Sequence, residues 1–309
     1  MAIRSELAPS GSAIVSALGW LTPQLRTASE AVRWACLMEA TAPKAGNVSP
    51  GQSFIDLHYH DFVRASEIAA NAFNVNDRFG KAIFSAVEQI GREIGTNVNL
   101  GILLLLGPLY QADQLLQTNR VEVPTIDHWK KAVATTLESI RVEDENDIFR
   151  AISISSAGGL GKADKWDVNQ AHPEVNLMEA MRHAAGRDRV AKQYATAFVD
   201  LLDAVVPILR DSIVVTGDLL HGIVKTQMRL LAADRDTLIS RKNGESVAEE
   251  VRYRASRVDS SDISQRVELD EFLRSDGNRL NPGTTADLIA AALFVLFRSL
   301  PESRIVAST

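Results

Sequence analysis

The chain has 309 residues, a formal net charge of −6, and 46% hydrophobic against 23% charged residues. It is long enough for a full hydrophobic core, and with no basic excess to neutralise phosphates it excludes wholesale nucleic-acid binding. Its one cysteine, Cys36, excludes an internal disulfide and fits a reducing cytoplasm, while the run LGILLLLGPLY falls far short of the ~20 residues that span a bilayer.

Residues 1–26 read as an N-terminal arm, and 27–309 as a single all-α domain. Thr27-Ala-Ser-Glu30 fits a capping box, and Ala31, Trp34, Ala35 and Met38 follow at helical spacing. That helix stops before Pro43, because the residue ahead of a proline avoids the helical region. Asp61 reads as the cap of the next helix, with Phe62, Ala65, Ile68 and Ala69 on one face. A third helix carries Ile83, Val87 and Ile90. NLGILLLLGPLYQADQLLQ is apolar nearly all round at its start, which predicts a helix in the centre of the fold.

Further helices fit TIDHWKKAVATTLESI, DIFRAISISS and EVNLMEAMRHA. RDRVAKQYATAFVDLLDAVVPIL reads as one helix, and VVTGDLLHGIVKTQMRLLAAD as the next. Two or three more precede TTADLIAAALFVLFRSL. No stretch alternates with period two between turn dipeptides. The predicted fold is all-α, a bundle-like array of helices around one continuous core, with its functional loops converging on one cleft.

Four polar loops bearing Gly or Pro interrupt the helices: APKAGNVSPG, GREIGTNVNLG, SSAGGLGKADKWD and RLNPGTTAD. The first, with Lys44 and Gly46, reads either as a plain connection or as a cradle for an anion. In the second, Thr96, Asn97 and Asn99 are neutral donors and acceptors suited to ribose hydroxyls or a base edge, or a simple turn before a buried helix. The third carries Lys162 and Lys165 but not the spacing of a phosphate-binding Walker loop. In the last, Thr284, Thr285 and Asp287 are compatible with an ordinary capped helix or with a phosphate site at its N-terminus. DTLISRKNG pairs Asp236 with Arg241 and Lys242, either a solvated helix end or a polyphosphate clamp in which Asp236 holds magnesium.

EATAPKAGNVSPG, GTNVNLGILLLLGPL, DTLISRKNG and NPGTTADLIAAALF, in this order, resemble the triphosphoribosyl-dephospho-CoA synthase family from about Ala31 to Leu300. The resemblance implies a pentosyltransferase that takes ATP and 3′-dephospho-CoA, releases adenine, and joins the triphosphoribosyl group to an acceptor hydroxyl. It implies Glu39 and Asp287 as catalytic carboxylates. Lys44, Gly46, Asn47, Thr96, Asn97, Asn99, Arg241, Lys242, Thr284 and Thr285 would bind the nucleotide, and Asp236 the Mg²⁺ that accompanies ATP. The chain departs from the citrate-lyase-associated members at Asn99-Leu100, at Ala45-Gly46-Asn47-Val48-Ser49 and at Thr284-Thr285. Those departures leave room for another hydroxyl acceptor, in a ribosyl-phosphate transfer or another ATP-dependent step of methanopterin-type cofactor assembly. A non-catalytic nucleotide-binding helical protein is the remaining reading. A homo-oligomer is compatible with the sequence, and neither nucleic acid nor membrane is an expected partner.

Overall fold

Helices run from Ala8 to Arg298 in the computed structural model, which describes residues 8–96, 98–155, 176–301 and 303. In chain order they are α1 (Ala8–Leu18), α2 (Ala28–Thr41), α3 (Tyr59–Val75), α4 (Phe79–Ile94), α5 (Leu100–Thr118), α6 (Ile126–Glu138), α7 (Val142–Ile154) and α8 (Leu177–Ala184). There follow α9 (Arg189–Ala195), α10 (Val206–Thr216), α11 (Leu219–Ala233), α12 (Thr237–Asn243), α13 (Glu245–Ser256), α14 (Ile263–Arg274) and α15 (Gly283–Arg298). The described residues form no strand, only isolated bridges between Ser49 and Gln52 and between Phe54 and Leu57. The all-α expectation holds.

α5 and α15 lack a continuous polar face, and both lie at the centre. Leu288, Ile289, Leu293, Phe294 and Phe297 of α15 are fully buried, as are Leu103, Leu105, Leu106 and Leu109 of α5. Burial of such side chains contributes roughly 1.5–3 kcal/mol each. α15 packs on α2, α5, α10 and α11, and α5 also meets α4 and α6. The capping box predicted for α2 is formed: Glu30 N–H donates to Thr27 Oγ1 at 3.1 Å, and Thr27 N–H to Glu30 Oε2 at 2.8 Å. At α3 the N-cap position falls on His58, and Asp61 closes the turn by accepting from the His58 N–H at 2.8 Å.

Pro108 sits inside α5. A proline has no N–H to give the carbonyl four residues earlier, here that of Leu104. The buried Tyr194 hydroxyl takes its place, donating to the Leu104 carbonyl at 2.6 Å. The central helix thus keeps its course because a side chain from α9 satisfies the orphaned acceptor.

Three expectations are corrected. Residues 1–26 are not all a loose arm, since Ile14 and Leu18 of α1, and Leu21 and Leu25 after it, are buried in the main core. Arg298 and Asp113 form a fully buried pair, Nε to Oδ2 3.1 Å, and Arg298 also donates to the Leu25 carbonyl at 3.0 Å, so this segment is tied to the last helix. The run from Arg187 to Leu209 is not one helix. It breaks at Ala197 and Phe198, which have positive φ, and continues through a π turn at Leu201–Val205 into α10. Pro207 at the start of α10 explains the change of register, because it could not donate into a continuous ladder. Finally, the core is not single. A smaller cluster of Ala45, Met228, Leu231, Ile239, Leu269 and Leu273, with neighbours from α13, lies apart from the main one.

That smaller cluster supports the loop between α2 and α3. Gly46 adopts φ +70°, and a Cβ there would stand 2.7 Å from Leu273 Cβ, so only glycine fits. Its N–H donates to Asp270 Oδ1 at 2.7 Å. Arg274, paired with Asp270, stacks over the Phe54 ring at 4.8 Å. The loop is therefore a rigid shelf at the C-terminal end of α2.

Candidate active site

A cavity of about 690 Å³ opens where the C-terminal end of α2 meets the N-terminal ends of α5, α9 and α15. That volume suits a drug-sized or nucleotide-sized ligand. Glu39, Asn47, Thr96, Asn99, Arg241, Lys242, Thr284 and Asp287 all line it. Eight positions separated by as many as 248 residues thus line one cavity, as the loops in the sequence led us to expect. Asn97 lies outside the described residues, as do Lys162 and Lys165.

Glu39 is buried near the end of α2, and its Oε1 stands 2.8 Å from Lys44 Nζ. Lys44 also donates to the main-chain carbonyl of Glu39 and, at 3.5 Å, to that of Ala42. Its side chain is fully buried behind Glu39 and is absent from the cavity wall. Direct phosphate contact is therefore replaced by another role: Lys44 neutralises Glu39 and fixes its direction. Gly46 likewise stays off the wall, its N–H committed to Asp270.

Asp287, on the second turn of α15, has a different environment. No hydrogen-bond or ion-pair partner holds it among the described residues. Its Oδ2 occupies the space a side chain at Gly101 would need, 2.0 Å from where that Cβ would stand. Burial and the negative charge of nearby Glu39 push its carboxyl well above the usual carboxylate range, and Asp236 and Asp188 add to this while Arg241 opposes it. Of the acidic groups on the cavity, Glu39 thus has a buried counter-ion while Asp287 has none among the described residues.

Asp236 does not fit the metal-ligand role. It is the N-cap of α12, where Oδ1 accepts from the Leu238 and Ile239 N–H groups at 2.9 and 3.2 Å. Its Oδ2 accepts from the Thr285 N–H and hydroxyl at 2.7 and 2.8 Å. Burial raises its proton affinity, against the pull of these four donors. No lone pair faces the cavity, and Thr285, which spends its donors on Asp236, is off the wall as well. Thr284 does reach the wall, with its hydroxyl 3.1 Å from that of Thr237. Thr284 and Asp287 do not cap α15; the N-cap position falls on Pro282, with no side-chain cap.

The positive side of the cavity comes from α12 and from a segment that sequence reasoning missed. Arg241 pairs through Nη1 with Asp188, whose Oδ1 caps α9 by accepting from Val190 N–H at 2.8 Å. Arg241 Nε is buried with no partner among the described residues. Burial lowers the proton affinity of the neighbouring Lys242 ammonium. Arg187, exposed at the rim, and Asp188 also line the cavity. The only signal for them was a Gly-Arg-Asp turn before a helix, which reads as an ordinary cap.

A buried amide network sets the shelf. Gln227 Nε2 donates to the Ala45 carbonyl at 2.8 Å and to Asn47 Oδ1 at 2.9 Å, and Asn47 Nδ2 donates to Asn281 Oδ1 at 2.7 Å. These bonds join α11, the shelf and the start of α15, which holds Glu39 and Asp287 in fixed relation.

No described helix is long and apolar enough to cross a membrane. Among curated proteins no significant match is found. A crystal structure from Archaeoglobus fulgidus, of a protein assigned as a triphosphoribosyl-dephospho-CoA synthase, is similar in fold, with a TM-score of 0.60. The two are 22% identical over 77% of this chain and 98% of the other. Residues 25–304 match the CitG family, ATP:dephospho-CoA triphosphoribosyl transferase, and this span includes every residue placed on the cavity wall. With that match over nearly its whole length, the chain belongs to the ATP:dephospho-CoA triphosphoribosyl transferase family.

Proposed function

We propose that the cavity between Glu39 and Asp287 is where this chain carries out the family's transfer, from ATP to a dephospho-CoA hydroxyl with loss of adenine. The observation that carries this reading is the asymmetry of the two carboxylates. Pairs of acidic groups whose environments push them apart divide acid and base work between them. Asp287, unpaired and with raised proton affinity, is the acid that protonates the departing base. Glu39, backed by Lys44, faces the positive charge that grows at the anomeric carbon as the N-glycosidic bond lengthens. It then takes the proton of the attacking hydroxyl. The bond from base nitrogen to anomeric carbon breaks with its electron pair on adenine, and the acceptor oxygen forms the new bond to that carbon. One proton leaves Asp287 and one arrives at Glu39, so charge balances.

The triphosphate has to be held without being cleaved. Arg241 and Lys242 supply positive charge for it, and Arg187 stands at the rim. The first turn of α5, which no side chain caps, adds free N–H groups. Magnesium enters as part of the substrate, on the triphosphate. The described residues include no cluster of three or more acidic, His or Cys side chains able to hold a metal, which fits an ion carried mainly by phosphates and water.

The reading is tested by chromatography of free adenine after incubation with ATP, Mg²⁺ and dephospho-CoA. Adenine should appear in step with the acceptor, and Asp287→Asn and Glu39→Gln should each lower its release by about 10²–10⁴-fold. Undiminished release by both variants would remove the cavity from the reaction.

A further inference from the structure

Gly101 is the second residue of α5, and nothing in its backbone asks for glycine. Its φ is not left-handed, so any L-residue could adopt it. Glycine is also a poor helix former, surpassed in this only by proline. What excludes a side chain is space. The three heavy atoms nearest to a Cβ at this position all belong to the Asp287 carboxyl group: Oδ2 at 2.0 Å, Cγ at 2.5 Å and Oδ1 at 2.9 Å. Three other helical glycines are filled differently. Gly80 lies against Asp144, mostly its main chain, Gly107 against Ile83 and Phe79, and Gly222 against Ile213, which is close packing of one helix on another. Of these four, only Gly101 is occupied by an acid that lines the cavity.

The Asp287 carboxyl group has no hydrogen bond or ion pair among the described residues to fix its direction. Contact does so instead. α5 and α15 pack on each other, and the bare backbone at Gly101 bounds one side of the carboxyl group. The seat is a recess the size of a missing methyl group. A reacting group misplaced by ~1 Å can cost ~10²-fold in rate, so the recess matters to the chemistry as well as to the packing.

We propose that Gly101 is a positioning residue for the transfer: the recess left by its missing side chain holds the Asp287 carboxyl group at the point from which it protonates the departing base. Gly101 brings no chemical group of its own and acts through Asp287. An alanine here keeps the helix and turns the carboxyl group out of the recess, toward the cavity to which Asp287 is already partly open. This assignment rests on the transferase reading above and adds what places its acid.

The test joins turnover to a spectroscopic readout, both on the full chain. With ATP, Mg²⁺ and dephospho-CoA, Gly101→Ala should lower kcat for adenine release by roughly 10²-fold and leave the KM for ATP unchanged. Added to Asp287→Asn, it should lower the residual release no further, because asparagine has the shape of aspartate but no acid to displace. A general distortion of α5 would act in both backgrounds. Asp287→Glu makes the same displacement from the other side, since the recess is already full, and should lose kcat as Gly101→Ala does although it keeps an acid. That arm decides the matter where Gly101→Ala folds poorly. Independently of turnover, the infrared C=O band of the protonated Asp287 carboxyl group, identified by its loss in Asp287→Asn, disappears as pH rises. Its midpoint should fall in Gly101→Ala, because the group leaves a seat whose burial favours the protonated form, while Glu39 and Cys36 of α2, Asp236, Arg241 and Asp188 around it are unchanged. The proposal is overturned if Gly101→Ala or Asp287→Glu turns over like wild type, if Gly101→Ala slows release equally in the Asp287→Asn background, or if the infrared midpoint stays where it was. If wild type releases no adenine at all, the transferase reading falls, and the infrared midpoint still decides whether Gly101 places the carboxyl group.

Discussion

Lys44→Met separates two roles for one residue. If Lys44 met phosphate at an open site, its loss would raise the KM for ATP and leave the fold alone. In the structure its ammonium is fully buried 2.8 Å from Glu39 Oε1 and also bonds the carbonyls of Glu39 and Ala42. Removing one member of a buried pair strands the other charge and costs about 3–5 kcal/mol. A domain of ordinary stability has about 5–15 kcal/mol in total, so the variant should unfold at a much lower urea concentration. Replacing both partners by neutral groups is often close to neutral in energy. The double variant Glu39→Gln/Lys44→Met should therefore recover at least half of the loss, although it stays inactive. Urea unfolding of the four proteins, with the slopes compared to check that the compactness of the unfolded state is unchanged, closes the cycle. A Lys44→Met protein within about 1 kcal/mol of wild type, a loss typical of exposed pairs, would refute the argument and return Lys44 to the phosphate.

Asp287 gives a pH prediction of definite sign. Its native proton affinity is raised, so between about pH 3.9, where an unfolded Asp titrates, and that raised value the native state binds more protons than the unfolded state. Stability then falls as pH rises through the window. Asp287→Asn should be more stable than wild type at pH 7 to 8 in urea titrations, with the difference vanishing in acid; a variant less stable at neutral pH would contradict this. Asp236→Ala should lose a helix cap, about 1 kcal/mol, plus roughly 1–3 kcal/mol for the buried Thr285 donors it strands. The magnesium concentration for half-maximal activity should not move, and a large rise in it would restore Asp236 as a metal ligand. Tyr194→Phe should cost about 1–3 kcal/mol by leaving the Leu104 carbonyl without a donor. Adding Pro108→Ala to that variant supplies the missing N–H and should recover part of the loss in thermal unfolding.

Much of the fold was legible because helices announce themselves locally. The Thr27–Glu30 box and the all-round apolar runs of α5 and α15 needed no tertiary information. The break before α10 was written in Pro207, but a proline at a helix start and a proline within a helix look alike in sequence. Pro108 is the contrary case, tolerated inside α5 because Tyr194, 86 positions away, serves the carbonyl it orphans. The segment before α2 looked like an arm because its anchor, the Arg298–Asp113 pair with its bond to the Leu25 carbonyl, comes from far along the chain.

At the site, position was legible and orientation was not. Lys44 and Asp236 stand in the segments that build the cavity, yet both point away from it, and in each case the reason is a hydrogen-bonding group the sequence does not place. Lys44 turns back along α2 because two main-chain carbonyls and a carboxylate at the end of that helix lack donors. Asp236 turns into the protein because the starts of α12 and α15 present four donors to it at once. What each leaves on the wall follows from this. With Lys44 behind Glu39, one carboxylate of the cavity has its counter-ion. With Asp236 engaged at Thr285, α15 is held by its first turn, and Asp287, two residues on, is presented to the cavity with no partner among the described residues. The residues that face away from the cavity thus create the difference between Glu39 and Asp287, and the proposed division of acid and base work rests on that difference.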